Sequence, residues 1–233
     1  MFPFLMFDAT FFVLIPAVIL ALFAQARVSM NMGRFSQVVS RRGFTGAQVA
    51  QAMLERAGIS DVPIEMLEGG GDHYDPKSRT IRLSAHNFQT ASITAVAVAA
   101  HEAGHAIQHN QGYMPLAFRT GIFPLVRITS FLAWPLFFIG IFMAGAGEFT
   151  EVFIDLGIIF FAVTVFFHMV TLPVEFNASS RAMEMLADGR YLEDDELPSA
   201  KKVLGAAAMT YVAATAMALL QLLRMILLRG RRN

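Results

Sequence analysis

Three stretches of this chain, Leu5–Ala24, Ile122–Ala146 with Arg127 near one end, and Val152–Leu172 ending near His168, are predominantly apolar and long enough for a helix to cross a bilayer about 30 Å thick. They commit the chain to a membrane before any other feature is weighed. Composition agrees: 55% of the residues are hydrophobic and 22 are Phe, against about 45–50% apolar residues in an ordinary soluble domain. A fourth apolar stretch, Val203–Leu228, is rich in Ala and interrupted by Thr210, Thr215, Gln221 and Arg224. It either spans the bilayer or packs on other helices at the surface. Ala24-Gln25-Ala26 resembles a signal-peptidase site, but no Lys or Arg precedes the first apolar stretch, so that segment is expected to stay as a membrane helix.

Basic residues set the expected orientation. Arg27, Arg34, Arg41 and Arg42 follow the first span with no acid among them, whereas the turn between the second and third spans carries Glu148 and Glu151. Lys and Arg in short loops favour the cytoplasm, which puts the N-terminus outside and residues 27 to 120 inside. The second and third spans then form a hairpin that returns the chain to the same side. Arg229, Arg231 and Arg232 conflict with this, because a fourth complete crossing would export them.

The chemistry is concentrated in His101-Glu102-Ala103-Gly104-His105. Residues four apart share a helix face, so both imidazoles can reach one metal ion while Glu102 leans toward a water in the open coordination position. The preceding Ser92–Ala100 is apolar and free of Gly and Pro, and reads as a buried helix running on to about His109. Unpartnered His and Glu on such a helix would cost about 1–3 kcal/mol each, and metal ligation removes that cost. A hydrogen-bonded pair of core histidines is the plainer alternative.

Zinc with a catalytic water needs a third protein ligand. A metzincin pattern is excluded, since Gln108 and Gln111 stand where Gly and His would be required. His109 is too far along the helix axis, and the chain has no Cys. Distant carboxylates remain. Glu175 is the best placed, in Leu172-Pro173-Val174-Glu175-Phe176-Asn177-Ala178-Ser179, with Pro173 suited to the first turn of a new helix and Ser179 one turn after Glu175 to orient a ligand. Glu184 and Asp188 are weaker candidates. The competing reading of Glu175 is an acid favoured at a helix N-terminus.

The HEAGHAIQ segment, Asp72–Pro76, Arg79–Ser84 and the Pro173–Ser179 segment together resemble the bacterial YugP-type membrane zinc metallopeptidases, over nearly the whole chain. That family is similar in layout to the HtpX and CAAX-prenyl endopeptidases, gluzincins whose third ligand is a Glu on a later helix. The resemblance implies His101, His105 and Glu175 as ligands of one Zn2+ and Glu102 as the catalytic acid/base. Asn177 stands where Asp is the more usual residue, and Ser179 where the HtpX group has a ligand-orienting Asp. The implied fold is a mainly α membrane protein: a zincin-like α+β catalytic region with a small β-hairpin, combined with three or four transmembrane helices.

Residues 27 to 120 are the most polar part. Thr45 is expected to cap a helix from Gly46 to Ala57, ended by Gly58. Val62, Ile64 and Met66 alternate like a strand, as do Ile81 and Leu83, with Gly69–Gly71 and Asp75-Pro76 as turns. The strand around Ile81 is the candidate edge on which an extended substrate could pair, set against a solvated edge guarded by Arg79 and Arg82. Gly69–Gly71 lacks the features of a phosphate loop, and the charged stretch Leu192–Leu197 reads as a solvated connection. The expected organisation is a first membrane helix over 1–26, a cytoplasmic catalytic region over 27–120 and a transmembrane hairpin over 121–172. A helix carrying the third ligand follows over 173–204, then an apolar C-terminal helix and basic tail over 205–233.

The expected function is a membrane-integrated zinc metalloendopeptidase of the bacterial cell membrane, its site facing the cytoplasm, with polypeptide as substrate and the bilayer as surroundings. His168, Arg181 and Tyr191 are candidate donors to the tetrahedral intermediate, each against a packing role. A regulatory membrane partner or a mobile segment is expected to gate activity. With 18 basic and 18 acidic residues cancelling, nothing points to nucleic acid. The alternative is a non-catalytic membrane scaffold or quality-control adaptor that keeps a zinc site. A metal transporter is disfavoured because Asp8, Asp155 and His168 are scattered along the spans.

Overall fold

A computed structural model describes residues 9–143 and 149–230. Residues 5–8 and 144–146 of the first two predicted spans lie outside the described residues, as do Asp8, Glu148, Arg231 and Arg232. A short 3-10 turn, Ala9–Leu14, leads into α1 (Ile15–Phe35). There follow α2 (Gly46–Arg56), β1 (Ile64–Leu67), β2 (His73–Asp75), β3 (Thr80–Ser84), α3 (Ala85–Gln89), α4 (Ile93–Asn110), α5 (Met114–Phe142), α6 (Phe149–Asp188) and α7 (Leu197–Gly230). The protein is thus mainly helical with one three-stranded sheet. Four helices, Ala9–Phe35, α5, α6 and α7, are long and apolar enough to cross a membrane.

Two compact units emerge. One comprises Ala24–Ala117 with Pro173–Thr210, and the other the described parts of 1–23, 118–172 and 211–233. In the first, local signals fix the helices. The Thr45 side chain accepts from Gln48 N–H while the Gln48 side chain accepts from Thr45 N–H, a reciprocal cap that starts α2. Ser92 accepts from Ala95 N–H and starts α4. The α2 residues Val49, Ala50, Met53 and Leu54 share one core with Val96, Ala99, Ala100 and Ala103 of α4. The small alanine side chains bring the two helices close, and Gly46 marks a tight point: a Cβ there would lie 2.9 Å from the Ala95 carbonyl oxygen of α4 and 2.1 Å from the Asn87 carbonyl oxygen of α3.

The sheet order is β1-β3-β2, with β1 parallel to β3 and β2 antiparallel to it. Ile81 therefore sits on the central strand, fully buried, and cannot offer a free edge. Its sequence neighbours misled because Arg79 and Arg82 suggest a solvated rim. Arg82 instead reaches across the sheet to Glu65 of β1 and Asp75 of β2. The hairpin is β2–β3 around Asp75-Pro76, and β1, paired to the other side of β3, leads into a loop in which Gly69 and Gly70 take positive φ. Full burial of Ile81 and Leu83 contributes about 1.5–3 kcal/mol each to this core.

Two further expectations are corrected. Pro173 does not begin a helix: α6 runs unbroken from Phe149 to Asp188 with Pro173 inside it, so Glu175 is no helix N-terminal acid. Pro interrupts a single backbone bond, which long helices with packed neighbours tolerate. The stretch Leu192–Leu197 is not merely solvated either. Glu196 is buried, and its carboxylate accepts from Arg41 N–H and Glu193 N–H, while Arg42 pairs with Glu193 and Arg41 with Asp195.

The second unit packs α5, α6 and α7 residues around Ala133, Phe137, Ile154, Phe161, Val165, Ala218 and Met225. Its large side chains also point outward: Phe131 is 76% exposed and Ile159 57%. Apolar surface on that scale belongs against lipid. Within this unit Arg229 near the end of α7 pairs with Asp155 near the start of α6, and Arg224 Nε donates to Thr10 Oγ1 at 3.2 Å. The C-terminal apolar stretch divides its packing along α7. Ala200, Val203 and Leu204 join the core that contains α4, whereas Ala218 and Met225 join the apolar-faced unit.

Candidate metal centre

His101, His105 and Glu175 converge within the first unit, each offering one ligand atom, all within 4.8 Å of one another. α4 supplies the histidines one turn apart, their rings edge to face with centroids 4.7 Å apart. α6 supplies Glu175, which is 3% exposed. What lets the two helices meet is Gly104: a Cβ there would lie 2.7 Å from the Ala178 carbonyl oxygen, so only glycine admits this crossing. Among the described residues no fourth His, Asp or Glu joins the group.

The ring orientations follow from the residues around them. Gln108, fully buried, places Nε2 2.9 Å from both Val174 O and Asn177 Oδ1. A backbone carbonyl can only accept, so that atom is the amide nitrogen, and Gln108 Oε1 must accept from His105 Nδ1 at 3.0 Å. Nδ1 thereby carries the proton, and Nε2 of the neutral ring keeps its lone pair. His101 Nδ1 lies 3.2 Å from Ser179 Oγ, one turn beyond Glu175 on α6. Both Nε2 atoms then face Glu175 Oε2, at 3.2 Å from His101 and 3.5 Å from His105.

Asn177 is held in turn by Arg181 Nε at 2.7 Å, and Arg181 Nη1 donates to Gln111 Oε1 at 2.7 Å.

This donor set fits zinc. Lone pairs on neutral imidazole and an ionised carboxylate oxygen repel unless a cation lies between them. A tetrahedral zinc with bonds of about 2.0–2.1 Å separates its ligands by about 3.3–3.4 Å, the spacing found between Glu175 and the two rings.

Glu102, next to His101 and 7% exposed, accepts from the Tyr74 backbone N–H at 2.8 Å through Oε2. Tyr74 lies on β2, and its hydroxyl is 2.7 Å from His109 Nδ1. Burial pushes the Tyr74 phenol up, so it keeps a proton to donate. Of the other sequence candidates, Glu184 and Asp188 are exposed and outside the cluster. Tyr191 packs in the core, edge-on to Phe44 at 5.8 Å. Arg181 is engaged with Asn177 and Gln111, and His168 belongs to the apolar-faced unit. Sequence reasoning missed Gln108 as a partner of His105, though its place three residues later on the same helix face was a usable signal. It also missed Tyr74, whose contact with Glu102 spans 28 residues.

Comparison with known proteins bears on this centre. Residues 10–230 match the family described as "Putative neutral zinc metallopeptidase". A Bacillus subtilis (strain 168) protein named "Putative membrane protease YugP" is 44% identical over 223 residues, covering 94% of this chain and 97% of that protein. No solved structure matches the chain. With nearly every residue inside the matched region, the chain belongs to this neutral zinc metallopeptidase family.

Proposed function

We propose that this protein is a membrane-integrated endopeptidase that holds one zinc ion on His101, His105 and Glu175, uses Glu102 as general base, and works at the cytoplasmic face of a bacterial membrane. The observation that carries the reading is the pair of Nε2 atoms and the buried Glu175 oxygen facing one another at 3.2 and 3.5 Å, two ring nitrogens and a carboxylate oxygen at the mutual spacing of ligands on one zinc ion.

Zinc, when bound there, supplies Lewis acidity toward a peptide carbonyl and makes a water more acidic. The chain's own groups do the rest. Gln108 and Ser179 hold the imidazole rings with Nε2 turned inward. Glu102 Oε2 is anchored by Tyr74 N–H, leaving Oε1 to take the proton of the attacking water and return it to the departing amide nitrogen. The substrate is polypeptide, and the polar surface of 27–120 favours cleavage at or above the membrane surface rather than within the lipid.

The cytoplasmic assignment rests on Arg27, Arg34, Arg41 and Arg42 after the first span. The ion pair of Arg229 with Asp155 supports it, because an α7 that crosses delivers a basic residue whose charge is matched by an acid of the hairpin. The test is cleavage of an unfolded polypeptide such as casein by the purified protein and by Glu102→Gln. The variant should retain zinc and lose turnover; turnover at the wild-type rate would remove Glu102 from the mechanism.

A further inference from the structure

Glu102 and His109 are seven residues apart on α4, which brings them to the same face two turns, or about 10 Å, from each other. Tyr74 spans that interval. Its backbone N–H donates to Glu102 Oε2 at 2.8 Å and its hydroxyl meets His109 Nδ1 at 2.7 Å, while the phenol and imidazole rings pack edge to face with centroids 5.8 Å apart. The tyrosine is 8% exposed; its N–H tie to Glu102 is buried and its hydroxyl tie to His109 half-buried. β2 is a three-residue edge strand paired to β3, with Tyr74 packed in the core shared with α4 and Asp72 just before it accepting from Ser84 N–H and Asn87 Nδ2. The hydroxyl tie adds a restraint at the far end of the Tyr74 side chain, directly on α4.

We propose that His109 is a positioning residue for the proton transfer: by fixing the Tyr74 hydroxyl it holds the Tyr74 N–H on Glu102 and so sets the orientation of the carboxylate that moves the proton. This deepens the reading of Glu102 as general base and rests on it. His109 touches neither the cluster nor the substrate in this role. It acts only through Tyr74.

The experiment compares His109→Ala, Tyr74→Phe, the double variant and His109→Asn in the full-length protein, measuring zinc content, thermal unfolding, kcat and KM with one peptide substrate. Misplacing a reacting group by about 1 Å can lower a rate about a hundredfold, so the two single variants should lose about ten- to a hundredfold in kcat with KM changed less than about twofold. Zinc content and unfolding temperature should stay at the wild-type level. The double variant should be no slower than either single one, since both break the same tie. His109→Asn, with an amide oxygen near the place of Nδ1, should recover most of the rate. Single variants as fast as an active wild type would overturn the inference and leave Glu102 as base. A loss that tracks zinc content or unfolding, or additive losses in the double variant, would overturn it as well. A wild type that holds zinc yet cleaves no peptide would instead overturn the reading on which it rests.

Discussion

Gln108 accepts a hydrogen bond from His105 Nδ1 at 3.0 Å while donating to Val174 O and Asn177 Oδ1, each at 2.9 Å. One buried amide thus orients a histidine on α4 and ties it to the helix that carries Glu175. Replacing it with Leu removes the acceptor of the His105 N–H and the ties to Val174 O and Asn177 Oδ1. Gln108→Leu should weaken zinc binding about 10–100-fold, read by competition with a chelator. It should also destabilise the protein by about 1–3 kcal/mol. Zinc affinity equal to wild type would show that His105 needs no help to present Nε2.

Gly104 admits the close crossing of α4 and α6. In Gly104→Ala the added Cβ would meet the Ala178 carbonyl oxygen at 2.7 Å, and neither backbone can yield cheaply. Overpacking of this kind costs about 1–3 kcal/mol. Thermal unfolding should fall accordingly, and zinc affinity with it, because His101 and His105 retreat from Glu175. A variant with lower stability but unchanged zinc affinity would separate the helix crossing from the metal centre.

Acidification should act on the turn that carries Tyr74. Ser78 Oγ and Lys77 N–H donate to Asp75, with Arg82 also in reach, holding its carboxyl below the ordinary value of 3.8. A depressed folded-state value means that the carboxylate stabilises the fold above pH 3.8 and that this contribution is lost as pH falls through the folded-state value. In chelator-treated protein, Asp75→Asn should unfold at a lower temperature than wild type at neutral pH, and the gap should close in acid below pH 3.8. A gap independent of pH would contradict this.

Orientation is open to direct labelling, since the sequence contains no Cys. Single cysteines at the exposed Lys77 and Lys202 should react with a membrane-impermeant maleimide only after cells are permeabilised. Labelling of intact cells at either position would put the site on the outer face.

Much of the centre could be read from the primary structure because its parts are local. Two histidines one turn apart need only a helix, and the Thr45–Gln48 cap and the Ser92 cap set the helix starts within a few residues. Glu175 could be nominated from Ser179 one turn beyond it and from the family resemblance, although the helix start at Pro173 that also pointed to it is absent. What escaped depends on contacts between distant segments. The order β1-β3-β2 depends on which edge β1 selects, and no residue of Ile64–Leu67 states that choice. Pro173 carries a local signal for a helix start that the long, continuous α6 overrides. Glu196 looked like one acid among several in a charged run, yet it is the one that folds back on the backbone of Arg41. The tie from Glu102 to Tyr74 appears only once β2 lies over α4.

The convergence of three side chains on one ion is tested most directly by zinc content per chain in metal-replete wild-type and Glu175→Ala protein. The account predicts one zinc per wild-type chain and loss of both zinc and peptide cleavage in the variant. Full zinc occupancy and rate in Glu175→Ala would contradict it and return the third ligand to another carboxylate.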